Sequence, residues 1–149
     1  MKMKKFALIF ALLTLSVSVP LQSKAQCKEF TEAEVLPLLE DYVISGRYSA
    51  VKLYEGEEIL IFKTLSKGIS YRFIIKGDDQ LPEQLEFSIE DWDGEKLYNN
   101  KSDEYKSVWD YECNKTQRIK IFVKVPLVSK ENAEPQRGCV TILSGIKGS

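Results

Sequence analysis

The chain has 149 residues, 21 basic and 22 acidic side chains, a formal charge of −1, three cysteines and no histidine. The missing imidazole excludes Ser-His-Asp and Cys-His nucleophile activation, imidazole-bound zinc and histidine acid–base catalysis near neutral pH. No basic patch is readable, which argues against nucleic acid or an anionic membrane surface as partner.

Residues 1–25 have the order of a secretory leader. Lys2, Lys4 and Lys5 precede an apolar run from Phe6 to Val19, Pro20 breaks it, and Ser23-Lys24-Ala25 forms a small-x-small cleavage step. The run is shorter than the roughly 20 apolar residues that span a bilayer, so no transmembrane span is expected after cleavage. Lipid anchoring at Cys27 is disfavoured, because Lys24 and Gln26 are not the small residues that precede a lipidated cysteine. The mature chain is expected to start at Gln26, as one domain outside the cytoplasm. Loss of Lys2, Lys4, Lys5 and Lys24 takes its charge to about −5.

Residues 26–46 read as an N-terminal helical segment. Thr31-Glu32-Ala33-Glu34 has the form of a capping box, with Phe30 and Val35 as a hydrophobic staple. The helix is predicted to run to about Tyr42 or Ile44 and to end near Gly46, with Pro37 kinking it or shifting its start. Leu38, Leu39, Tyr42 and Val43 supply its apolar stripe.

From Ser49 the hydrophobic period changes to two, and residues 47–149 read as the β domain. Glu55-Gly56-Glu57 is a turn before a strand marked by Ile59, Ile61 and Leu65. After Lys67-Gly68, Ile69, Tyr71, Phe73 and Ile75 alternate with Ser70, Arg72, Ile74 and Lys76. Leu85, Phe87 and Ile89 alternate with Glu86, Ser88 and Glu90, and Asp93-Gly94 signals a hairpin into residues 96–98. Residues 107–113 form the next strand. Ile119, Ile121, Val123 and Val125 then alternate with Arg118, Lys120, Phe122 and Lys124, and Pro126 ends that strand. A charged loop leads to a last strand marked by Val140, Ile142 and Ile146. About eight short strands behind one short helix predict a mainly β fold, an antiparallel β-sandwich or jelly roll, with a closed barrel as the alternative.

Three cysteines in an oxidising compartment leave one unpaired. Trp109, Tyr111 and Cys113 share one face of a strand, and an aromatic-rich face is the buried one, where a thiol acts as a small hydrophobe. The pair Cys27–Cys139 is therefore expected, with Cys113 free and Cys113–Cys139 the rival pairing. Closing a loop of about 112 residues constrains the unfolded chain by nearly 5 kcal/mol in the chain-entropy account.

Few residues point to chemistry. Asp91, Asp93 and Glu95 crowd one turn and are a calcium candidate, with Asp78-Asp79 as possible further ligands. Their spacing is not that of an EF-hand, and a plain Asp-Gly hairpin explains the same residues. No other cofactor is indicated. Trp92 falls at a turn, in register with Glu86, Ser88 and Glu90, and is a candidate contact to a protein or glycan; its alternative is to cap the end of the sandwich. No catalytic residue is assigned. Carboxylate pairs at glycosidase spacing arise by chance among 22 acidic residues, Cys113 has no basic neighbour in its strand to activate it, and the sequons at Asn100 and Asn114 read as turns.

The strand Tyr71-Arg72-Phe73-Ile74-Ile75, the block from Leu85 to Leu97 containing Asp91-Trp92-Asp93-Gly94, the strand from Ile119 to Val125 and the closing Cys139-Val140-Thr141-Ile142-Leu143 together resemble the bacterial pre-peptidase C-terminal domain. That resemblance implies a small β-sandwich accessory to a secreted enzyme. The chain also resembles short secreted proteins of Gram-negative bacteria, which implies a compartment and no activity. The expectation is a secreted or periplasmic, non-catalytic binding or accessory module contacting a protein or glycan. A small carboxylate-dependent hydrolase and a structural envelope component are the alternatives.

Overall fold

Period-two burial organises the described residues into nine strands. They are β1 (Tyr42–Ile44), β2 (Ser49–Tyr54), β3 (Glu58–Leu65), β4 (Ser70–Gly77), β5 (Glu86–Asp91), β6 (Lys96–Asn99), β7 (Val108–Glu112), β8 (Gln117–Lys124) and β9 (Arg137–Lys147). The computed structural model describes residues 27–148, so the leader assigned to residues 1–25 lies outside the described residues. All pairings are antiparallel. β1 and β2 lie end to end along the eleven-residue β9, followed by β4 and β7, which makes a five-stranded sheet. The second sheet has the order β3-β8-β5-β6. The fold is the expected antiparallel sandwich.

The inward rows of the two sheets form one core. Tyr71, Phe73 and Ile75 from β4 and Val140 and Ile142 from β9 meet Phe87 and Ile89 from β5 and Ile119, Ile121 and Val123 from β8. One side of the sandwich is closed by stacked rings: Tyr98 of β6 lies 5.0 Å from Trp109 of β7, which in turn lies 4.9 Å from Tyr111 and 5.6 Å from Phe73. On the opposite side Lys63, an inward position of β3, donates through Nζ to the Ser45 carbonyl at 2.9 Å. Burial lowers the Lys63 pKa, because the ammonium loses water.

The helical segment differs from expectation at both ends. Residues 27–30 are already helical, so Thr31 is an interior residue and no capping box forms. Its hydroxyl donates to the Cys27 carbonyl at 2.7 Å and meets the Thr141 hydroxyl at 2.7 Å. Glu34 reaches out to Lys76. Pro37 has no N–H to return to the preceding turn. The helix adopts a wide π turn over Thr31–Val35, with Leu36 N–H bonded to the Thr31 carbonyl, and a tight 3₁₀ turn over Leu36–Leu39. It stops there, and Tyr42–Ile44 is strand β1.

This segment covers the outer face of the five-stranded sheet. Val35 and Leu39 pack on Ile74 of β4 and Leu143 of β9, two outward-facing residues that are thereby fully buried. Arg72 fastens the same face. Its guanidinium donates to both carboxylate oxygens of Asp110, to Glu40 and to the Leu38 carbonyl, and lies over the Tyr42 ring. The hydrogen bonds to Asp110 raise its pKa further, so it is permanently charged. Cys27 and Cys139 are disulfide-bonded across 112 residues, with Cα atoms 5.3 Å apart, which ties the start of the helix to β9.

Candidate functional site

Among the described residues, the outer face of the four-stranded sheet has no such cover. β3 reads Glu-Ile-Leu-Ile-Phe-Lys-Thr-Leu; Ile59, Ile61 and Leu65 turn inward, and Leu60 and Phe62 turn outward. Leu60 is paired with Phe122 of β8, also outward. A solvated sheet face ordinarily carries polar side chains at these positions. Here Leu60, Phe62 and Phe122 are 44%, 45% and 37% exposed. Trp92, at the tip of the β5–β6 hairpin, is 56% exposed and extends the cluster. Its ring lies 6.0 Å from that of Phe62, and Arg118 places its guanidinium 4.9 Å from the Phe62 ring and 4.8 Å from the Trp92 ring. Such cation–π contacts leave the rings' other faces open to solvent or a partner.

Beside this cluster the sheet surface is hollowed into an open concavity of about 490 Å³. Leu60, Phe122, Ser88, Asn99, Glu58 and Lys124 form part of its lining. Lys101 and Glu86 pair at 3.1 Å along it. An apolar floor beside charged residues of both signs is the chemistry of a contact surface.

The hairpin that carries Trp92 is built by Asp91. That side chain is buried, and its Oδ1 accepts the N–H groups of Asp93 at 3.0 Å and Glu95 at 2.9 Å. Gly94 supplies the positive φ of +91°. Asp91 is thus committed to the turn, while Asp93 and Glu95 are exposed. Among the described residues no group of three or more Cys, Asp or Glu side chains is arranged to hold a metal ion. Asp78 is committed elsewhere, its two oxygens accepting from Gln80 N and Cys139 N.

Cys113 is free and buried, its thiol donating to the Lys115 carbonyl at 3.0 Å. Trp109 and Tyr111 are only partly buried against the core. Asn100 and Glu55 are buried polar residues that no local sequence signal marks. Asn100 is fully buried; its amide oxygen accepts from Phe87 N at 2.8 Å and its amide nitrogen donates to the Leu85 carbonyl at 2.8 Å, so it serves as a strut for β5. Glu55, in the expected turn before β3, is buried and accepts from the Ser129 hydroxyl, while its Oε1 has no partner among the described residues.

The remaining perturbed groups lie along one strut. Burial, helped by donation to Asp103 at 2.9 Å, pushes the Tyr98 hydroxyl up to about 12. Lys106 holds the Asp103 carboxyl below its usual range, and Asp103 in turn raises Lys106.

No family model matches the chain, and no curated protein matches it by sequence. Among solved structures, the chain is similar to PliG of Aeromonas hydrophila, a periplasmic lysozyme inhibitor of g-type lysozyme. The TM-score is 0.46 and the identity 12%, over 67% of this chain and 84% of that one. No helix among the described residues is long and apolar enough to cross a membrane.

Proposed function

We propose that the protein is a non-catalytic module that works outside the cytoplasm and binds a protein partner through the outer face of its four-stranded sheet. The observation that carries this reading is the exposed cluster of Leu60, Phe62, Phe122 and Trp92, in a position where a solvated sheet places polar residues. Exposed aromatic rings beside an arginine are the groups that dominate binding energy at protein interfaces. The Cys27–Cys139 bond fits an oxidising compartment. The absence of histidine from the sequence favours binding over catalysis.

The test is to place a photocrosslinking residue at position 122 (the floor of the hollow), identify the protein trapped, and reconstitute the pair from purified components. Binding is expected to weaken at least tenfold, about 1.4 kcal/mol, in Trp92→Ser and in Phe62→Ser. A reconstituted partner that binds both variants as it binds the parent protein would refute the reading.

A further inference from the structure

We propose that β3 pairs antiparallel with β3 of a second copy, so that two four-stranded sheets join into one eight-stranded sheet across a two-fold axis at Ile61. This goes beyond the binding face described above and stands without it, because the strand edge carries it.

Among the described residues, β3 is the outermost strand of its sheet and pairs with β8 alone. Val125 N–H donates to the Glu57 carbonyl at one end of this ladder. Antiparallel ladders point both polar groups of alternate residues to the same side. Odd-numbered residues of β3 therefore bond to β8, and Glu58, Leu60, Phe62 and Thr64 present their N–H and C=O groups to the open edge. Such an edge is a template for another strand unless it is short, bulged, proline-containing or charged. The other edge of this sheet, β6, has only four residues and joins β5 through a register shift. β3 has eight residues, full register with β8 and no proline; its single lysine is an inward-pointing charge of the kind that can guard an edge, but its ammonium is bonded to the Ser45 carbonyl.

The occupant that fits is β3 itself. With the axis at Ile61, Leu60 stands opposite Phe62 of the second copy, and Glu58 opposite Thr64. The two Leu60–Phe62 pairs meet at the centre and join the exposed apolar side chains of both copies into one surface, flanked by each Phe122. Charge also matches. Thr64 is paired with Arg118 on β8, and among the described residues neither Arg118 nor Glu58 takes part in an ion pair within its own chain. The proposed register places Arg118 of one copy two strand spacings, about 10 Å between Cα atoms, from Glu58 of the other. Two long side chains span that gap. An isologous contact of this kind closes on itself and forms a dimer, not a filament.

Sedimentation equilibrium of the purified protein is expected to show a reversible monomer–dimer equilibrium. Leu60→Pro removes an N–H that faces the open edge and none from the β3–β8 ladder, and Phe62→Lys places a charge at the centre of the contact. Each is expected to raise the dimer dissociation constant at least tenfold, with Phe62→Lys deciding if Leu60→Pro does not fold. The register is read by cysteines. The double variant Leu60→Cys/Phe62→Cys should oxidise to a covalent dimer, since directly opposed residues lie within disulfide reach, whereas Phe62→Cys alone should not. A protein that stays monomeric over the accessible concentration range, a dimer unaffected by Phe62→Lys, or efficient crosslinking through Phe62→Cys alone would each overturn the proposal. Trp92→Ser lies off the strand edge and is expected to leave the dimer intact, so that failure of dimerisation and failure of partner binding are read separately.

Discussion

The two sheets present outer faces that differ in one respect. Both carry large apolar residues at outward positions: Ile74 and Leu143 on the five-stranded sheet, Leu60, Phe62 and Phe122 on the four-stranded one. The first pair is 0% and 1% exposed because the N-terminal helical segment lies over it; the second group is uncovered. Burial within the chain explains the first pair as part of the fold. The same explanation fails for the second group, because nothing among the described residues covers it. What looks identical in sequence, an apolar residue on the wrong side of a strand, is a buried packing residue in one sheet and an exposed one in the other.

The largest effects belong to the covered face. Leu143→Ala or Ile74→Ala removes buried side-chain volume between helix and sheet and should cost about 2–5 kcal/mol of unfolding free energy, measured by denaturant titration. Cys27→Ser should cost a similar amount, about 2–5 kcal/mol, because it frees the helix from β9 and lifts the constraint on the unfolded chain. If these substitutions left stability unchanged, the helix would not be a structural lid and the contrast between the faces would vanish.

A smaller effect sharpens how close that lid sits. A Cβ at Gly145 would lie 2.6 Å from Leu39 Cδ2 and 2.9 Å from Tyr42 Cβ. Gly145→Ala is therefore expected to push the helix off the sheet at a cost of about 1–3 kcal/mol. An amide-exchange increase confined to residues 35–44 and the facing part of β9 would mark the site of the strain.

The sequence carried the sandwich and the disulfide because both rest on strong local signals. Alternation in Phe87-Ser88-Ile89 and in Ile119 to Val125 fixes which side of each strand is buried, and Cys113 shares its face with Trp109 and Tyr111. It did not carry the cover. Ile74 falls in one row with outward Arg72 and Lys76, and nothing local accounts for its burial, since the residues that bury it are some 35 positions earlier in the chain. β3 is half legible. Ile59, Ile61 and Leu65 mark the strand and turn inward as expected, but the run Ile59-Leu60-Ile61-Phe62 is apolar on both faces, so period gives the outward Leu60 and Phe62 no signal of their own. Trp92 is legible because it stands alone at a turn. Arg118, its partner across two strands, has no local signal that links it to Trp92.

The stacked side of the sandwich gives a spectroscopic prediction with a definite sign. Burial and Asp103 favour the protonated Tyr98, whose pKa is raised from 10.0 to about 12. A group whose folded pKa exceeds its unfolded pKa contributes stability that is complete below the unfolded value and is lost as pH climbs through the folded one. That contribution is present below about pH 10 and disappears between about pH 10 and 12. Ultraviolet titration of the protein should show a late step that is absent in Tyr98→Phe. A titration in which Tyr98→Phe removes an ordinary step near pH 10 would show that the Tyr98–Asp103 contact does not persist in solution.

The smallest effect on stability is expected where the functional effect is greatest. Phe62→Ser and Trp92→Ser remove exposed surface, and Trp92 belongs to a hairpin whose turn is held by Asp91 backbone bonds and not by the indole. Each should change unfolding free energy by no more than about 0.5 kcal/mol. Folding alone would then give no reason for these two rings to stand in water, which leaves intermolecular contact as the role for them. A loss of 2 kcal/mol or more in either variant would mean that the Phe62–Arg118–Trp92 stack is a structural clamp. The uncovered face would then be a second packing layer, and the distinction between the two sheets would be one of degree.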